Sequence, residues 1–445
     1  MGRMVRTLNF QRSTLNAQLA LLLVLAAPRA NAHPAHAEEV NYPLVTGFNR
    51  FYAEGDSPEH LAKGGELLLN ELNCTTCHEA PEPLRARFAG APGPRLSGVA
   101  SRFGDESVLQ LLIRNPRMLK RSTGMPSLFA GPDRDEEELA ALYAYLLTLR
   151  EPPGAPLLLG NIERGRELYH AIGCIACHAP DTEYFPPALP KDARVEAPAM
   201  ASQPVRVALF WTTDYLTRFL LEPVKYHPAG RMPSHGLSEV EAADLAAYLQ
   251  ASPMREEPDP DLLQGAVDPA LAVRGRELFA SKGCVNCHDT GDGPMPPRKA
   301  RPLLDLRPIE GGCLGDEPLA GAVPYYYLNP LQRTSLRLAL EALAVTETKV
   351  TRDEWLTRMD CFGCHSLDGR GGPELAREPY FGAVSPYAVD RETFLPPALE
   401  GVFERRTDEE LRQIFTGKAE RRHPKVGARM IRLPEAVADE FLTGN

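Results

Sequence analysis

The stretch that decides the fold is Arg164–Pro180, RGRELYHAIGCIACHAP. It reads as a helix that runs into two cysteines three apart, with His178 directly behind them. The same C-x-x-C-H string returns as CTTCH at 74–78, CVNCH at 284–288 and CFGCH at 361–365. Eight of the nine cysteines are used this way, and only Cys313 stands outside the pattern.

Two thiols on one turn at the end of a helix suit addition to the two vinyl groups of a haem, and the adjacent histidine then reaches the iron. A single match would leave a zinc half-site or a buried thiol pair open. Zinc knuckles rarely place His directly after the second Cys in every copy, and here all four pairs carry it. The expected attachment residues are Cys74, Cys77, Cys174, Cys177, Cys284, Cys287, Cys361 and Cys364, with His78, His178, His288 and His365 as proximal iron ligands.

The flanks of the motifs repeat as well. Gly65, Gly165 and Gly275 each lie nine residues before the first Cys, and Leu69, Tyr169 and Phe279 lie five before it. A four-residue spacing is one helix face, so the Gly admits a close helix neighbour and the large residue packs beside it. The fourth copy keeps Leu356 but has Arg352 at the Gly position, so its helix contact must differ. Closing helices are expected at 135–149, 238–250, 329–344 and near the C-terminus. Ser238 with Glu241 forms a capping-box pattern. Pro-rich stretches separate each motif from its closing helix, in keeping with 42 Pro in 445 residues.

Helix, C-x-x-C-H, Pro-rich loop, helix resembles the plan of class I cytochrome c domains over nearly all of the chain. The resemblance implies an all-α fold of four tandem domains carrying four covalently bound haem c groups. The expected boundaries are a signal peptide at 1–32 and domains at 40–152, 153–256, 257–350 and 351–445. The resemblance also implies a distal Met shortly before each closing helix. Met125 in STGMPSLF, Met232 in HPAGRMPSHGLS and Met430 in RRHPKVGARM fit that position, with His423 the alternative to Met430. His227 and His235 flank Met232 and are expected to be free surface histidines. Pro94–Val99 and Pro397–Val402 share a P-x-L-x-G-V core that the resemblance places at the haem edge.

The third domain departs from this pattern. Sliding VPYYYL onto MPSHGL sets Pro324 on Pro233, Leu328 on Leu237 and Val323 on Met232. The expected sixth ligand of haem three is therefore absent. Cys313, one of Tyr325 to Tyr327, Met295 or an open position are the alternatives.

Arg3, Arg6 and Arg12, then LALLLVLAA at 19–27, then Ala30-Asn31-Ala32 have the order of a secretory signal peptide. Export to the periplasm is the expectation. A formal charge of −10 disfavours nucleic acid as a partner. Electron transfer between periplasmic redox proteins is the leading expectation. The alternatives are a haem enzyme, peroxidase-like or thiosulfate-type, reacting at haem three, and a haem-carrying subunit of a larger respiratory or dehydrogenase complex.

Overall fold

The computed structural model describes residues 41–443 apart from 56, 91, 106–107, 121–122, 132–134, 153–157, 182, 186–210, 230, 252–267, 307–310, 320–322, 344–349, 382–394 and 420–427. The signal-peptide expectation for 1–32 and the candidate His423 lie outside the described residues.

The fold is all-α. Its principal helices are α1 (Pro58–Glu71), α2 (Glu136–Thr148), α3 (Ile162–Ala171), α4 (Thr213–Leu221) and α5 (Glu239–Gln250). They continue with α6 (Pro269–Ser281), α7 (Pro330–Ala342), α8 (Arg352–Arg358), α9 (Asp408–Phe415) and α10 (Glu435–Thr443). Among the described residues the one sheet is a two-stranded antiparallel ribbon, Ser366–Leu367 against Arg370–Gly371. Helices α1 to α9 each begin on a Ser, Thr, Asp or Asn whose side chain accepts from a backbone N–H of the first turn. Such a cap stabilises by about 1 kcal/mol. Pro at the first position of α1, α6 and α7 costs nothing, because that N–H has no helical partner.

The apolar residue five before each motif is buried in all four copies: Leu69, Tyr169, Phe279 and Leu356 are 1%, 4%, 2% and 3% exposed. Three of the four helices holding them cross a closing helix at a glycine. A Cβ on Gly165 would collide with the backbone of Asp244 in α5, and one on Gly65 with the backbone of Ser335 in α7. A Cβ on Gly275 would collide with the backbone of Ala141 in α2. The expected role of the glycines holds.

The partners do not follow chain order. Helix α3 pairs with α5 as expected, but α1 pairs with α7 and α6 pairs with α2. The Leu68, Leu69 and Leu72 face of α1 shares a core with Leu336, Ala339 and Leu340 of α7. Phe279 of α6 sits in the core of Leu142, Tyr145 and Leu146 of α2, its ring 5.6 Å from that of Tyr145. The expectation that the first and third blocks each carry their own closing helix is corrected: they exchange them. Two helical units are thus interleaved, 57–90 with 300–343 and 93–150 with 268–299, around the contiguous unit 160–251.

The exchange meets no local penalty. All three Gly-bearing helices present the same surface, a glycine and a large apolar residue four apart, so either closing helix meets the same local demand. The exchanged arrangement keeps those contacts and differs only in connecting loops, whose closure entropy grows slowly with length. Helix α8, with Arg352 in place of Gly, meets its closing helix differently. Arg352 lies over the Phe403 ring at 4.2 Å, and Trp355 meets Phe441 edge-on at 6.4 Å.

The units abut. Arg87, 6% exposed, pairs with Glu66 of α1 at 2.7 Å and Glu354 of α8 at 2.6 Å. Thr212 N donates to the Arg102 carbonyl at 2.7 Å, joining the unit of α2 and α6 to that of α3 and α5.

Candidate cofactor-attachment sites

The residue before the first cysteine is left-handed in all four copies: Asn73 (φ 59°), Gly173 (φ 114°), Gly283 (φ 85°) and Asp360 (φ 52°). This turn ends the helix and swings the motif away from its axis. Gly, Asn and Asp are the residues that tolerate it. The sequence reading passed over this signal, a recurring Gly, Asn or Asp ahead of Cys.

The motif itself is one closed turn. The histidine N–H donates to the carbonyl of the first cysteine at 3.0 Å in His78 and at 2.9 Å in His178, His288 and His365. Both sulfurs and the imidazole therefore emerge from one tight loop. All nine cysteines are free of disulfides. Burial pushes the thiols of Cys74, Cys174, Cys284, Cys361 and Cys364 up to about 12, and it raises that of Cys177 as well.

Three of the four histidines have their orientation fixed in one way. His78 Nδ1 meets the Arg301 carbonyl at 2.7 Å, His288 Nδ1 the Pro94 carbonyl at 2.8 Å and His365 Nδ1 the Pro397 carbonyl at 2.6 Å. Two residues on, a leucine N–H donates to the carbonyl of the residue after the histidine: Leu303 to Glu79, Leu96 to Asp289 and Leu399 to Ser366. A histidine that donates from Nδ1 keeps Nε2 as a lone-pair donor, the tautomer that a metal requires. The donor set fits covalently attached haem. The P-x-L-x-G-V core of residues 94–99 thus serves His288 rather than His78, in step with the exchanged helices.

The loops ahead of the closing helices pair across units. Ser127 and Tyr325 exchange backbone hydrogen bonds at 3.0 Å each way, and Arg432 N donates to Ser234 O at 2.7 Å. Each of these four residues lies two positions after Met125, Val323, Met430 or Met232. Gly236 (φ 61°) and Tyr327 (φ 56°), four positions after Met232 and Val323, share the left-handed turn. Ser238 and Asn329, six positions after, both close capping boxes. The register that sets Val323 on Met232 is thus matched by the backbone. The Val323 loop leads into α7, the partner of α1, and so belongs with His78. The Met125 loop leads into α2, the partner of α6, and so belongs with His288.

Among the other candidates, Met125 and Met430 are exposed, and Met232 is half-buried against the core of Tyr169 and Leu245. Met295 packs with Phe279 and Cys284 on the attachment side. Cys313 lies near Cys74 and Cys77, where Cys287 of the His288 motif also comes close. Tyr326 is wedged against Cys74 and donates to the Leu72 carbonyl at 3.2 Å. Tyr325 and Tyr327 pack edge to face at 4.5 Å.

His227 and His235, expected to be free surface groups, are both enclosed. His227 packs against Phe219 at 4.8 Å, and its pKa is lowered to about 3 by burial and then by the charges of Arg102, Lys120 and His288. His235 is lowered to about 4 by burial and then by His178 and Arg429. Its Nδ1 is buried without a hydrogen-bond partner.

The motifs meet in pairs. Asn286 of CVNCH donates from Nδ2 to the Thr76 carbonyl at 2.7 Å and to Cys77 Sγ at 3.2 Å. Asp360, which precedes Cys361, accepts from Cys177 Sγ at 3.0 Å. The His78 motif is thus set against the His288 motif, and the His178 motif against the His365 motif.

A family model for cytochrome c matches residues 162–253. No curated protein and no solved structure matches the chain. The matched segment is the contiguous unit of α3, α4 and α5. The match supports a c-type cytochrome with covalently bound haem and a role in electron transfer. No helix among the described residues is long and apolar enough to cross a membrane.

Proposed function

We propose that the chain is an exported tetrahaem c-type cytochrome that passes electrons between redox proteins of the periplasm. The observation that carries this reading is the recurrence of one closed C-x-x-C-H turn four times, with a left-handed residue ahead of each. Each haem, attached through its cysteine pair and held by His78, His178, His288 or His365, supplies a one-electron iron couple. Met232 would serve as the second protein ligand of the haem held by His178, Met430 of that held by His365 and Met125 of that held by His288. A thioether on iron favours the reduced state and raises the potential.

The abutting motifs favour fast exchange within two haem pairs, His78 with His288 and His178 with His365. The two exchanged units and the contiguous ones then form two dihaem modules rather than a string of four beads. The Pro-rich loops and the negative charge fit transient docking with basic partner surfaces. The signal-peptide pattern at 1–32 supports periplasmic maturation. The second reading, a haem enzyme, is favoured by one observation, Val323 at the ligand register of the His78 unit.

Intact mass of the denatured mature protein tests the haem load. Four haems on eight thioether bonds are expected, and three or fewer in fully matured material overturn the reading.

A further inference from the structure

We propose that the haem attached at His78 is the ligand-accepting centre of the molecule, open on its distal side to small diatomic molecules. The inference rests on the tetrahaem reading above and deepens it.

Two independent features point to this unit. The first is Val323. Its loop is in register with the Met232 loop at the following proline, the cross-unit bridge, the left-handed turn and the helix cap. A branched hydrocarbon side chain therefore occupies the position where the other three units carry a thioether. Valine has no lone pair to offer a metal.

The second is the distal wall. The His288 unit has the helix Val108–Arg114 between its proximal loop and its methionine, the His178 unit has α4, and the His365 unit has α9. The corresponding stretch of the His78 unit runs only from Leu303 to Val323, twenty residues, against twenty-nine from Leu96 to Met125. Its described part holds two single 3-10 turns, Leu303–Asp305 and Gly312–Leu314, and no such helix. Leu314, Leu304 and Tyr326 pack with Cys74 on the core of α1 and α7. The described residues of this stretch that reach the core, Leu304, Leu306 and Leu314, are apolar, and Cys313 precedes Leu314 in the second turn.

Iron held by one strong axial histidine, with no strong donor opposite, takes up an exogenous sixth ligand. In the ferrous state the ligands of choice are neutral π-acceptor diatomics such as carbon monoxide or nitric oxide, which an apolar pocket does not penalise. The phenol of Tyr326 donates to the Leu72 carbonyl, which favours its protonated form, and a neutral phenol is a weak donor to iron. The three methionine-ligated centres resist such ligands.

The test is carbon monoxide titration of the dithionite-reduced holoprotein, with haem counted in the same sample. About one carbon monoxide per four haems is expected. Val323→Met should abolish binding and add a fourth share to the sulfur-to-iron charge-transfer band of the oxidised protein. Met125→Ala, at the neighbouring unit, should raise uptake to two per chain and serves if Val323→Met does not mature. Cys313→Ala should leave uptake at one. No uptake in the wild type with four haems present overturns the proposal. Uptake that appears only in Cys313→Ala puts the thiolate on the iron and overturns it equally. Fewer than four haems would instead contradict the tetrahaem reading itself.

Discussion

The unit of α3, α4 and α5 and the two interleaved units share an opening helix, a motif and a closing helix, yet only the first is matched by a family model. In residues 160–251 the opening helix, motif, distal loop and closing helix follow one another along the chain. In the His78 and His288 units the same elements exist, but each unit draws them from two distant segments. A pattern recognised along the sequence needs continuity; a haem pocket needs only proximity. The difference teaches that block order in this chain is not unit order.

The largest expected effect follows from excising the blocks. Residues 158–253, expressed with a signal peptide, should mature as a folded one-haem protein. Residues 40–152 hold helices α1 and α2, which belong to different pairs, and should not yield a folded haem protein. Circular dichroism and haem retention in the soluble fraction decide this. A folded one-haem product from 40–152 would restore the tandem reading.

Acid stability separates the units next. His170 of the contiguous unit is fully buried, bonded from Nδ1 to the Arg166 carbonyl at 2.7 Å and accepting from Asp181 N at 3.0 Å. Burial lowers its pKa to about 4 from 6.5. The unfolded chain therefore binds the extra proton first, and stability is lost as pH falls from about 6.5 to about 4. The loss approaches about 3 kcal/mol at the lower end. Melting temperature against pH should show this limb, and His170→Gln should reduce it by the His170 share while leaving the shares of His227 and His235.

A smaller effect tests the exchange itself. Gly65→Ala pushes a methyl group into the backbone of Ser335 and should cost about 1–3 kcal/mol. Combined with Ala339→Gly, which opens space on α7, the pair should couple by about 1 kcal/mol in denaturant unfolding. Combined with Ala141→Gly on α2, the changes should add within about 0.5 kcal/mol.

Much of this was legible in the sequence. The attachment residues, the Gly and apolar pair on each opening helix, the capping box at Ser238 and the Val323 register are all local patterns, and local patterns set local geometry. What was not legible is partnership. Nothing near Gly65 distinguishes Ser335 from Ala141 as its neighbour, because both closing helices offer a small-residue face. Cys313 illustrates the same point: it follows the His288 motif in sequence, and in space it lies near Cys74 and Cys77 as well. His227 and His235 were read as surface groups because polar residues near Pro and Gly usually are. His227 is packed against Trp211 and Phe219 of its own unit, a contact no local pattern announces.

The central claim, that the first and third blocks exchange closing helices, is tested most directly by zero-length carbodiimide crosslinking of the holoprotein. Lys282 Nζ lies 2.5 Å from Glu138 Oε2, and Lys299 Nζ lies 3.8 Å from Glu79 Oε2. Mass spectrometry of the digested monomer should find the Lys282–Glu138 and Lys299–Glu79 peptides. Crosslinks from Lys282 and Lys299 confined to acidic residues within 257–350 would contradict the account.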